Sequence, residues 1–134
     1  MARARADIGA KNFEVAITAG HHRLTADERP DLGGQDAGPA PYEILCAALC
    51  ACTSITLRMY AVRKGWPLEA LHVDVLYTLD ETGGAITRSL RLSGPLDEAQ
   101  RARLTDIAER TPVTLTLKRS LPIVTTLEGA VAAG

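Results

Sequence analysis

The residues best suited to nucleophilic or redox chemistry lie together. Cys46, Cys50 and Cys52 all fall in the stretch Ala40–Lys64, APYEILCAALCACTSITLRMYAVRK. A cysteine attacks as its thiolate, and a free thiol ionises only near a pH of about 8.5, so a reactive one needs a neighbour that favours the anion. Cys46 and Cys50 sit among Ala and Leu and read as packing residues. At Cys52 the sequence changes character: Thr53, Ser54 and Thr56 follow, then Arg58. Cys52 is therefore the candidate nucleophile. It lies too deep in the stretch for that helix's own N-terminus to help, so an Arg or Lys from elsewhere must supply the charge.

Other uses of the three thiols fit less well. On a continuous helix Cys50 and Cys52 point to opposite sides, and bridging Cys46 to Cys50 demands unusual geometry. Reduced thiols fit better than a disulfide scaffold. No CxxC occurs, and CxC on a helix cannot chelate without breaking it. His21, His22 and His72 have no ligand spacing to one another or to the cysteines. No metal and no cofactor is expected.

The elements that position these residues can be read from periodicity. Between Glu43 and Arg58 there is no charged residue, which predicts a central helix over Ala40–Lys64 buried on most sides. Pro41 suits its first turn and Gly65 its end. Ahead of it, Ala4–Ala10, Phe13–Ala19 and His22–Ala26 read as a three-strand meander, with turns at Lys11-Asn12 and Ala19-Gly20. The loop Asp27–Pro41 carries three prolines and three glycines in DERPDLGGQDAGPAP and delivers the chain to the helix. Beyond it, Leu71–Leu79 and Ile86–Leu92 alternate around a turn at Asp80–Gly84. Asp97–Arg110 reads as an amphipathic helix with Asp97 and Gln100 at capping-box spacing and a stripe of Ala99, Leu104, Ile107 and Ala108. Thr111–Leu117 is ambiguous: Thr111-Pro112 opens a helix, but Val113, Leu115 and Leu117 alternate as in a strand. Pro122–Leu127 reads as a last strand, and GAVAAG is expected to fray. The fold class is α+β, with one domain over residues 1–134. A long apolar helix is awkward to cover in one small chain, so a homodimer with two central helices is expected.

Composition excludes several partners. Net charge is -1, which leaves no basic excess to neutralise phosphates, so nucleic acid is not expected. Aromatic residues make up 4% of the chain, too few for stacked single strands. The opening MARARADIGAK lacks the apolar segment of a secretory signal. The uncharged run is shorter than the roughly 18 residues of a membrane span. A cytoplasmic protein with no membrane partner is the expectation.

Several separated motifs then carry a resemblance. GPAPYEILCAALCACTSITLRMYAVRKGWPLE resembles the central signature of the OsmC/Ohr family, the osmotically inducible and organic-hydroperoxide-resistance proteins. HRLTADERPDLGG is similar to the approach of the short members, and SGPLDEAQRARLTDIAERTPVTLTL to their later segment. The resemblance spans roughly Asp7 to Leu127. It implies an intertwined, swapped-strand homodimer with two sites at the interface. It also implies that Cys52 is a peroxidatic cysteine and that Glu43 orients a catalytic Arg. In the peroxidases that Arg lies in the early hairpin. Here the nearest equivalent is Lys11, which is not interchangeable with Arg at a bidentate contact. The position of the resolving cysteine is occupied by Thr111, in AERTPV. The family pattern places a helix start at Thr111, with Thr111 as N-cap or as a hydroxyl facing Cys52.

Two functions follow as expectations. The first is a one-cysteine peroxidase, peroxiredoxin-like in activity, that reduces organic hydroperoxides and is regenerated by an external thiol. The alternative is a catalytically degenerate dimer that binds a small apolar molecule at its interface.

Overall fold

A computed structural model describes residues 1–129. The expected fraying of GAVAAG falls mainly on residues 130–134, outside the described part. The fold is mixed α+β. Strands β1 (Ala4–Asp7), β2 (Val15–Ala19) and β3 (His22–Ala26) form an antiparallel sheet in the order β1-β2-β3. Helix α1 (Pro41–Lys64) follows, then the hairpin β4 (Ala70–Asp80) and β5 (Gly83–Ser93), and helices α2 (Glu98–Ala108) and α3 (Pro112–Lys118).

The first hairpin is looser than its alternation suggested. β1 stops at Asp7, and β2 begins at Val15 rather than Phe13. The reason is Asp27, which is 2% exposed at the end of β3. Its carboxylate accepts the backbone N–H groups of Glu28 (2.7 Å), Gln35 and Ala37 (both 3.1 Å) and Phe13 (3.3 Å). Phe13 is thus drawn to the loop and away from the ladder. Gly34 lies so close to the Glu28 carbonyl and the Asp27 side chain that a Cβ would collide with both. This one carboxylate shapes the loop that leads into α1.

Asp27 also makes the loop acid-sensitive. Burial pushes its pKa up, but the donors at Ala37, Glu28, Gln35 and Phe13 together outweigh burial and hold it below the ordinary value. A depressed carboxylate contributes stability in full above its unfolded pKa, about 3.9, and loses it as pH falls through the folded one. The Gln35 and Ala37 amides are therefore expected to lose hydrogen-exchange protection below about pH 4. Asp27→Asn is expected to weaken that protection at neutral pH and abolish its acid dependence.

Helix α1 has the predicted ends. Pro41 is in its first turn, Glu43 Oε1 accepts the Ala40 N–H at 2.9 Å, and Gly65 closes it at φ 70°. Its covered side is narrower than the uncharged run implied. Leu49, Thr53, Leu57 and Ala61, four residues apart, are buried against a frame of β4, α2 and α3. Ala47, Ala48, Ala51, Ile55, Met59 and Val62 are exposed. The N-terminal sheet is not among the main neighbours of α1 in its own chain. The full helix is also long and apolar enough to cross a membrane, which corrects the expectation that the run is too short. Its buried face instead joins a core of Leu57, Ala61, Leu68, Leu96, Leu104 and Ala108.

The second hairpin pairs in register from Ala70↔Ser93 to Asp80↔Gly83. Leu71, Val73, Val75 and Tyr77 turn inward as expected. The capping box of α2 is formed: the Gln100 N–H donates to Asp97 Oδ1 at 2.7 Å, and the Asp97 N–H donates to Gln100 Oε1 at 3.0 Å. Ala99, placed in the buried stripe, is exposed, and Leu104 and Ala108 carry that face. Thr111–Leu117 resolves as helix, because Pro112 seats the first turn and the buried positions are Thr111 and Thr114, three apart. The strand expected over Pro122–Leu127 does not form. A strand needs a ladder partner, and among the described residues this segment meets none: Ile123 and Val124 are 87% and 89% exposed.

Candidate active site

Helices α1 and α3 meet at Cys52, and β5 and α2 join them at the neighbouring Thr53 through Arg88. The thiol is half-buried on α1, and its Sγ accepts the backbone N–H of Val113 at 3.4 Å. Thr56 Oγ1 lies 3.9 Å from the same sulfur. Val113 sits in the first turn of α3, where backbone N–H groups have no partner within their own helix. So a helix start does reach Cys52, but it belongs to α3 and not to α1.

Beside the sulfur is a buried polar cluster. Thr53, next in sequence, is fully buried and donates to Leu49 O at 2.7 Å. Arg88 reaches it from β5. Arg88 Nη1 donates to Thr53 Oγ1 at 3.0 Å and to Thr114 Oγ1 at 2.9 Å, and Nη2 donates to Ala108 O at 2.8 Å. Glu109 Oε1 stands 3.7 Å from Nη2, and the other carboxylate oxygen, Oε2, pairs with Lys118 Nζ at 3.1 Å. Thr111 and Thr114 place their hydroxyl oxygens 2.6 Å apart. Every buried side-chain polar atom among the described residues has a partner.

The residues singled out from the sequence fall as follows. Cys52 and the Thr111–Val113 segment come together. Thr111 is fully buried and precedes α3 as its N-cap, but its hydroxyl meets Thr114 rather than capping the helix or bonding Cys52. Glu43 is used by the Ala40 N–H at the far end of α1. Lys11 is an exposed residue paired with Glu14 at 2.9 Å. That hydrogen bond and the accompanying charge attraction raise its pKa. No Arg or Lys nitrogen among the described residues hydrogen-bonds Cys52 within the chain. Cys46, Cys50 and Cys52 are all free thiols, and Cys50 Sγ is directed to Val73 O at 3.9 Å. No group of three or more His, Cys, Asp or Glu among the described residues could hold a metal ion.

Arg88 is not among the residues that sequence spacing singles out. Arg88, Leu90 and Leu92 share one inward register, so an Arg stands in a row with two leucines. A cavity of about 460 Å³ opens beside it, walled by the apolar Leu49, Ile86 and Leu117 and by the charged Arg88, Glu109 and Lys118. Cys52 does not line that cavity.

With this geometry in hand, the likeness to known proteins is informative. The family described as OsmC-like protein matches residues 33–126. No curated protein matches the chain. Among solved structures, an OsmC-like protein from Mycoplasma pneumoniae is similar at 20% identity and a TM-score of 0.76, over 88% of this chain and 87% of that one. An organic hydroperoxide resistance protein OsmC from Legionella pneumophila is similar at 21% identity and 0.63, over 88% and 89%. The organic hydroperoxide resistance protein OhrB of Bacillus subtilis is similar at 21% and 0.60, over 88% and 90%. At these identities the structures speak to the fold.

Proposed function

Because the chain belongs to the OsmC-like family, we propose that it is a thiol-dependent peroxidase acting through Cys52 alone. The observation that carries this reading is the N–H of Val113 on the Cys52 sulfur. Cys50, by contrast, is directed to a carbonyl oxygen, which cannot donate to a sulfur anion. Two of the similar structures are organic hydroperoxide resistance proteins, which supports a peroxide-related role.

The Cys52 thiolate attacks the outer oxygen of an organic hydroperoxide. An S–O bond forms and the O–O bond breaks. Sulfur is oxidised to a sulfenic acid, and the leaving alkoxide takes a proton to become the alcohol. Thr111 has no sulfur, so a disulfide cannot form there. An external thiol instead attacks the sulfenic sulfur and releases water, and a second thiol reduces the mixed disulfide.

The reading takes the protein as a cytoplasmic homodimer of single-domain chains. Support comes from the exposed Ile55, Met59 and Val62 on α1, and from a tail whose Ile123, Val124 and Leu127 lie open. Lys11 would reach Cys52 only from a second copy, by exchange of the N-terminal sheet. Glu43 would orient that cation across the interface.

A second reading is a dimer that has lost this chemistry and binds a small apolar molecule. The cavity at Arg88, separate from Cys52, favours it. Turnover separates the two. With cumene hydroperoxide and a small dithiol in excess, the peroxidase reading expects many equivalents of peroxide consumed per chain. Consumption no faster than with the dithiol alone favours the binding protein.

A further inference from the structure

We propose that Arg88 is a positioning residue that holds the Val113 N–H on the Cys52 sulfur, an inference that rests on Cys52 as the reactive thiol. The side chain of Arg88 is 11% exposed. It stands in the inward row with Leu90 and Leu92, where a leucine would pack without the desolvation a guanidinium suffers. Such a group is tolerated only when its donors are used, and the placement of its acceptors is informative.

One nitrogen, Nη1, spans two helices. It donates to Thr53, the residue after Cys52 on α1, and to Thr114, the residue after Val113 on α3. The other, Nη2, donates to Ala108 O at the end of α2. Nη1 therefore fixes the neighbour of the sulfur against the neighbour of its donor, and Nη2 clamps the joint from which α3 departs. The Cys52–Val113 contact is already 3.4 Å, so a shift of α3 by about 1 Å would break it. Lysine cannot replace the fork, because a single ammonium that bridged Thr53 and Thr114 would leave Ala108 O unheld. Thr111 completes the arrangement by bonding Thr114 from the other side. Where a resolving cysteine would otherwise stand, this chain has a threonine that braces the joint.

The test needs no peroxide, so it stands or falls apart from the peroxidase reading. Iodoacetamide labelling is followed by peptide mass at Cys52, Cys46 and Cys50 in the same molecule, in Arg88→Met, Arg88→Lys, Thr114→Val and Thr114→Ser. Methionine suits the apolar row, and Thr114→Ser keeps the hydroxyl. The rate at Cys52 relative to the other two thiols is expected to fall roughly fivefold in Arg88→Met, Arg88→Lys and Thr114→Val. Thr114→Ser is expected to remain within about twofold of the parent. The Val113 amide is expected to exchange faster in the first three variants only. An unchanged ratio in folded Arg88→Met and Thr114→Val overturns the assignment. So does a parallel rise at all three thiols, which marks a merely structural arginine.

Discussion

Cys52→Ser is expected to abolish hydroperoxide reduction, lowering the rate by at least about 10³-fold. A serine hydroxyl at this position keeps the size of the side chain and can still accept the Val113 N–H. It is nearly unionised at neutral pH, however, and oxygen does not form a sulfenic acid, so the covalent step is gone. Cys46→Ser and Cys50→Ser are expected to keep the rate within about threefold, because neither thiol shares the α3 junction. The comparison is made by peroxide consumption with a dithiol present and by thermal melts of all three variants. A Cys52→Ser protein that consumes peroxide like the parent would place the chemistry elsewhere.

The second large effect is expected on α1. In the homodimer and peroxidase proposed above, Ile55→Asp with Met59→Asp should separate the two chains and remove peroxide reduction with the interface. Ile55 and Met59 are 54% and 60% exposed, and they lie one turn apart with Val62 beyond them. An apolar stripe of this length on the longest helix of the chain is uncommon on a free surface. Two carboxylates placed in it must be desolvated without partners on association, which should weaken the dimer by at least roughly a hundredfold. Neither residue touches the buried face of Leu49, Thr53, Leu57 and Ala61, so the fold should persist. Light scattering reads the mass and circular dichroism the fold. A double variant that stays dimeric at micromolar concentration would show that α1 is not the interface.

Much of the fold was readable because its signals are local. Pro41 and Gly65 bound α1, alternation marks β4 and β5, and Asp97 with Gln100 starts α2. What escaped depends on distant partners. Absence of charge between Glu43 and Arg58 says that α1 is apolar, but not which face its own chain covers. Pro122–Leu127 has strand propensity, yet a strand exists only with a partner for its backbone. Thr111–Leu117 satisfies both periods, and only the burial of Thr111 and Thr114 separates them. The site was half legible. Cys52 stood out by the polar residues after it, and the TPV segment by its likeness to a known pattern. Arg88 did not stand out, because a charge in an alternating strand is usually read as surface. Its inward register shows only when Ile86, Arg88, Leu90 and Leu92 are followed as one row. Lys11 and Glu43 rest on the resemblance alone, and within one chain each already has a partner, in Glu14 and the Ala40 N–H respectively.

The central claim is that Cys52, alone among the three thiols, takes oxygen from a hydroperoxide. The direct measurement is intact mass and peptide mapping of the reduced protein after one equivalent of cumene hydroperoxide, with a sulfenic-acid trap present. The account predicts one trapped group per chain, on Cys52, with Cys46 and Cys50 still reduced and one alcohol released. Trapping on Cys46 or Cys50 in place of Cys52, or peroxide loss with all three thiols unmodified, would contradict it.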